Sequence, residues 1–87
     1  MKADDIWQLT GNGQIIAYGN GGTVREAERS TVYVVHEIAT VAAPKKREGA
    51  FELSINNKRV CGGQARCERA GSRLLVVGEG WRVEAGK

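Results

Sequence analysis

Residues 23–44 read TVREAERSTVYVVHEIATVAAP, and the way this stretch is wound decides the fold. At a helical advance of about 100° per residue, Val24, Ala27, Thr31, Val34, Val35, Ile38, Val41 and Ala42 fall within an arc of about 120°. The arc predicts one long amphipathic helix with a buried face. Thr23 and Glu26 have the spacing of a capping box, Gly21 and Gly22 free the chain to enter it, and Pro44 forbids continuation past Ala43. The same residues admit a second reading, because Thr31 to Val41 is rich in β-branched side chains that favour a strand. Strand alternation would group Val32, Val34, His36 and Ile38 and leave the helical arc unused, so the helix is the expectation carried forward.

On the N-terminal side, Ile6–Thr10 and Gln14–Tyr18 flank Gly11-Asn12-Gly13, and Asn-Gly between two apolar runs is a strong hairpin signal. A two-residue turn at Asn12-Gly13 predicts Leu9 opposite Ile16 and Trp7 opposite Tyr18 on one face. On the C-terminal side, Lys45 to Gly49 reads as a loop, after which Phe51, Leu53 and Ile55 alternate with Glu52 and Ser54 in a half-buried strand. Asn56-Asn57 turns the chain into Lys58–Cys61, with Val60 expected opposite Leu53. Gly62-Gly63 is expected to interrupt as a bulge or loop before Ala65–Arg69. A turn at Ala70-Gly71 then leads into Arg73–Val77, setting Glu68 against Arg73 and Cys67 against Leu74. Gly78-Glu79-Gly80 precedes a last strand carrying Trp81 and Val83.

These elements predict an α+β fold, an antiparallel sheet of five or six strands in the order ββαβββ(β) with one long helix packed on one face. Residues 1–87 read as a single small domain. Leu74 to Val77 is apolar on both sides of its strand, which suits a central position or a face covered by a second copy, so a homodimer is a further expectation.

Composition bounds the function. With 41% hydrophobic and 26% charged residues the chain is of ordinary globular type. Its longest apolar runs, Val32–Val35 and Leu74–Val77, fall far short of the ~20 residues of a membrane span, and it reads as a soluble, cytoplasmic protein without a membrane partner. The net charge of +3 is unevenly spread: residues 1–44 hold three basic and five acidic side chains, residues 45–87 ten basic and five acidic. Such segregation draws an acidic protein face or a phosphate backbone. Cys61, Cys67 and His36 are the only soft metal ligands, too few and too scattered for a zinc site, so no metal or cofactor is expected and both thiols are read as reduced.

On the predicted helix, Arg25, Arg29, Tyr33 and His36 share one solvent-facing stripe, the candidate contact surface for a protein partner. Lys45, Lys46, Arg47, Lys58, Arg59, Arg66 and Arg69, with Arg73 and Arg82 beyond them, form a second candidate surface for anions or nucleic acid. Trp7, Tyr18, Phe51 and Trp81 are all expected in the core, which leaves few aromatics to stack bases. No carboxylate pair or nucleophile carries a recognisable flanking motif. The expected function is therefore a non-enzymatic binding module, most readily a protein-interaction regulator or inhibitor, with phosphate-backbone binding through residues 45–82 as the alternative. In size and lack of motifs the chain looks like the small inhibitors that phages and mobile elements encode, an analogy of general type.

Overall fold

The stretch that decides the fold is extended. In the computed structural model, which describes residues 1–36, 39–40 and 46–86, residues 22–27, 30–35 and 39–40 form strands and no helix occurs among the described residues. Among the described residues nine strands make one sheet: β1 (Ile6–Gly11), β2 (Gln14–Asn20), β3 (Gly22–Ala27), β4 (Ser30–Val35), the two-residue β5 (Ala39–Thr40), β6 (Glu48–Ile55), β7 (Lys58–Ala70), β8 (Arg73–Gly78) and β9 (Trp81–Ala85). The α+β expectation, with its helix laid across a sheet, is thus replaced by an all-β architecture. Ile38, Val41, Ala42 and Pro44, which belonged to the helical reading, lie outside the described residues.

The physical reason lies in β3 and β4. Thr23 pairs with Val34 across the hairpin, and the Glu26 carboxylate accepts from the Thr31 hydroxyl at 3.3 Å instead of reaching back to the Thr23 N–H, so no capping box forms. Thr31, Val32, Val34 and Val35 are β-branched and stiff at χ1, a small penalty in a helix and a gain on a pleated surface. Both faces of β4 are covered, since Val35 and Val32 are each almost fully buried although they project to opposite sides. A strand covered on both sides carries no apolar alternation, and its run of apolar residues satisfied a helical period by coincidence.

The strand order is β3-β4-β9-β8-β7-β6-β1-β2-β5. Its two ends are joined, because β2 and β3 are one strand bent at Gly21. The register of β3 on β4, from Ala27↔Ser30 to Gly22↔Val35, continues without a slip into Tyr18↔Ala39 and Ala17↔Thr40, where β2 meets β5. At the bend Gly21 takes a φ of +78°, donates to Asp5 O at 2.8 Å and accepts from His36 N at 3.1 Å. Glycine adopts that conformation without the steric cost of a Cβ. The sheet therefore closes into a barrel, with β4 and β9 as its parallel pair and the remaining pairs antiparallel.

The interior is filled by alternate residues of the wall: Trp7 and Leu9 from β1, Ile16 and Ala17 from β2, Val35 from β4, Phe51 and Leu53 from β6, Cys67 from β7, Leu74 and Val76 from β8, Trp81 and Val83 from β9. Trp7 is wholly buried, and its indole N–H donates to His36 O at 3.0 Å, tying β1 to the end of β4.

Turn chemistry follows the sequence while register departs from it. Asn12-Gly13 and Asn56-Asn57 both take positive φ and make the two tight turns expected of them. Beyond each, a bulge slips the pairing by one residue. Thr10 faces Ile15 as a two-residue turn requires, but Leu9 then faces Ala17 and Gln8 faces Tyr18, leaving Ile16 as the extra residue. The expected pairs Leu9 with Ile16 and Trp7 with Tyr18 are both overturned by this bulge, and Tyr18 leaves the core. On β7 the extra residue is Val60, so Leu53 faces Cys61. Gly62 and Gly63 do not interrupt β7 but run through it opposite Glu52 and Phe51. The next turn falls at Gly71-Ser72, which sets Arg69 against Leu74, Cys67 against Val76 and Glu68 against Leu75.

Candidate functional site

The expected contact stripe is dispersed by the extended backbone. Arg25 pairs with Val32 and points away from the interior, whereas the adjacent pair Val24↔Tyr33 points the other way, with Tyr33 half-buried against the core. Arg29 lies in the turn after β3, and His36 follows β4 with its side chain exposed and its backbone used by Gly21 and Trp7. A period of two separates what a period of 3.6 would have joined.

The basic set is divided as well. Lys58 and Arg59 stand at one end of β7, Arg69 and Arg73 at the other, and Arg47 lies beside Cys67, to whose N–H its carbonyl is bonded. Arg59 pairs with Glu52 at 3.9 Å, Arg66 with Glu48 at 3.4 Å and Arg82 with Glu84 at 3.1 Å. Lys46 is exposed and Lys45 lies outside the described residues. Three of these basic residues thus meet carboxylates on the barrel surface, and the set as a whole is spread over it instead of forming one anion-binding face.

What the sequence reading passed over is the outward face of β1 and β2. With Trp7 and Leu9 turned inward, Ile6, Gln8 and Thr10 point out; across the bulge, Ile15 and Tyr18 join them. Ile15 stands next to Thr10 and Tyr18 next to Gln8, and on the other flank Gln8 meets Ser54. Ile6 is 58% exposed, Tyr18 48% and Ile15 40%. No charged residue occurs anywhere from Ile6 to Asn20. Charge returns only at the rim: the Glu52–Arg59 pair borders one side, and Asp5 another, held by the Lys2 N–H at 2.7 Å and the Asn56 amide at 2.9 Å. Those two hydrogen bonds keep the Asp5 carboxyl below its ordinary pKa.

The opposite wall is built differently. On the outer surface of β4, β9, β8 and β7 two cross-strand rows run side by side, Val32–Arg82–Val77–Arg66 and Val34–Glu84–Leu75–Glu68. Glu84 is drawn towards Arg82 and towards Arg25, the latter at 3.7 Å, and its Oε2 is enclosed by these ionic contacts without an aligned hydrogen bond. Val32 faces outward and is still only 2% exposed, roofed by the Arg25 and Arg82 that flank it. Leu75 is half-buried and Val77 42% exposed, so this wall pairs Arg25, Arg66, Arg82 and Glu84 and covers most of its apolar groups by itself.

The remaining chemistry-bearing groups are quiet. Burial pushes the Cys61 thiol up from its ordinary 9.0 to about 11 and also raises Cys67, leaving both protonated and weakly nucleophilic at neutral pH. The two lie six positions apart on one extended strand, about 20 Å, far beyond disulfide reach. Burial likewise raises the Tyr33 phenol, helped by the neighbouring Cys61 and Glu26. Among the described residues no cluster of His, Cys, Asp or Glu is arranged to hold a metal ion, and no helix is long and apolar enough to cross a membrane. Comparison with protein-family models, with curated proteins and with solved structures finds no match for this chain.

Proposed function

We propose that this chain is a non-enzymatic binding module that docks a partner protein on the β1–β2 face, a small cytoplasmic regulator or inhibitor that acts by covering a surface. The observation that carries the reading is the run from Ile6 to Asn20 without a charge in a chain that is 26% charged. The buried centre of a protein interface is depleted in charge and enriched in tyrosine, because charged groups are costly to desolvate and tyrosine brings contact area with little entropy loss. Ile6, Ile15 and Tyr18 supply that area, while Gln8, Thr10 and Ser54 supply neutral hydrogen-bonding groups. A molecule 30 × 29 × 25 Å across presents on one side a footprint on the order of the 800 Å² that a stable interface takes from each partner. Lys58, Arg59 and the net charge of +3 favour approach of a partner with an acidic surface.

Two double variants test the reading in affinity capture from the native host. Ile15→Lys with Tyr18→Asp is expected to weaken capture at least ~100-fold, and Arg66→Glu with Arg82→Glu less than ~5-fold, with both folded. Equal retention by both would reject the face. A gel-shift titration with duplex and single-stranded DNA at two ionic strengths is expected to show no shift at either; a shift that weakens steeply with salt would favour phosphate-backbone binding through residues 45–82 instead.

A further inference from the structure

The barrel wall has a gap. β7 is much longer than its neighbour on one side: β8 pairs with Ala65–Ala70, and beyond Ala65↔Gly78 the chain turns away through Glu79-Gly80. Among the described residues, residues 58–64 of β7 therefore pair with β6 alone. The direction of their backbone groups follows from the ladder. Cys67 N donates to Arg47 O on the β6 side, so the odd-numbered residues from Cys61 to Cys67 address β6 and the even-numbered ones address the β8 side. Arg66 and Glu68 find β8 there, whereas Gly62 and Gln64 have no backbone partner on that side among the described residues.

The unpaired edge borders a depression of about 460 Å³, closed on its far side by Thr31 and Tyr33 of β4 and by Trp81. Gly62 and Gly63 bring no side chains of their own to the edge; a Cβ at Gly63 would meet nothing within 4 Å, and the flexible Arg59 guanidinium lies over Gly62, 3.0 Å from where its Cβ would stand. The two faces of the gap differ in character. Tyr33 and Cys61 line the inward side and are uncharged, while Arg59, the one charged residue of the lining among the described residues, stands outward on the rim in a loose, exposed pair with Glu52 at 3.9 Å.

We propose that this gap accepts an extended peptide segment of a partner as an added strand, pairing its backbone with Gly62 and Gln64, apolar side chains turned in and acidic side chains turned out. Strand addition satisfies open edge groups and takes its specificity from alternate side chains, which here meet Tyr33 and Trp81 on one side and Arg59 on the other. The site is separate from the β1–β2 face and stands or falls without it.

The test is an amide-resolved NMR titration of the ¹⁵N-labelled full chain with a blocked octapeptide of alternating valine and glutamate. Shifts are expected at the Gly62 and Gln64 amides and the Trp81 indole, with residues 6–20 unmoved. The same peptide N-methylated at alternate residues is expected to bind at least ~10-fold more weakly, since it lacks the N–H groups of one edge, and the valine–lysine analogue about 5-fold more weakly. Gln64→Pro removes an N–H that faces the gap and no β6 ladder bond, and is expected to weaken binding about 5-fold. Arg59→Glu serves if that variant does not fold, with a similar loss expected. Absence of shifts at millimolar peptide, shifts confined to residues 6–20, or binding indifferent to N-methylation would overturn the proposal.

Discussion

The two outer walls of this barrel enclose the same interior and are finished in opposite ways. On β4, β9, β8 and β7 every second outward residue is charged, Arg25, Arg66, Arg82 and Glu84 sit within ion-pair distance of an opposite charge, and Val32 between them is buried. On β1 and β2 nothing is charged, and two isoleucines and a tyrosine stand open. Folding demands only the inward rows, so the difference outside is not required by the barrel. A charge-laced wall keeps an exposed sheet from pairing with others. A bare wall of the same size has a cost in solution and makes sense when something covers it.

Each prediction breaks or sharpens that contrast. The largest effect belongs to what the walls share: Trp7→Ala, at a wholly buried position, is expected to cost ~3–5 kcal/mol and lower the urea midpoint in one cooperative transition. Two separate transitions would mean that the walls rest on separate cores.

A matched pair of glycines comes next. A Cβ at Gly11 would lie 2.6 Å from Phe51 Cε1, and one at Gly78 would run into several ring atoms of Trp81. Each alanine variant is expected to cost ~1–3 kcal/mol, Gly78→Ala the more, since its contact is tighter and ends beside the gap. Smaller still, Glu84→Ala is expected to cost ~1 kcal/mol or less and to lose most of that difference in 1 M salt, because its partners are largely exposed. Gln8→Glu on the bare wall is expected to leave stability within ~0.5 kcal/mol, which thermal melts at two salt concentrations check together.

At neutral pH one further contrast is silent and emerges only in alkali. The Cys61 thiol stays protonated in the folded state up to about 11 against an ordinary 9.0. The folded chain therefore holds its proton where the unfolded chain releases it, and stability declines as pH rises across that window. Alkylation of Cys61 by iodoacetamide is expected to accelerate with a midpoint near 11; a midpoint at 9 would mean that the thiol is in water.

The hairpins were legible because their signals are local: Asn12-Gly13 and Asn56-Asn57 adopt positive φ wherever the chain is read. The bulges at Ile16 and Val60 were not, because an extra residue is placed by packing on both sides of a strand, and with it went the exposure of Tyr18. The β3–β4 hairpin failed for a related reason. Within Thr31 to Val35, Val35 is buried by the core and Val32 on the outer face between Arg25 and Arg82, so the alternation that announces a strand is absent, and the bend at Gly21 that closes the barrel looks in sequence like a helix entry. The candidate face left a trace that could have been read: a charge-free run from Ile6 to Asn20.

The most direct measurement compares two positions of similar exposure on the two walls, Tyr18 and Val77, 48% and 42%. A benzophenone amino acid placed at each and irradiated in the native host is expected to give a discrete protein adduct from position 18 and none from position 77. Adducts from 77 alone, or equally from both, would contradict the assignment of the bare wall as the binding surface.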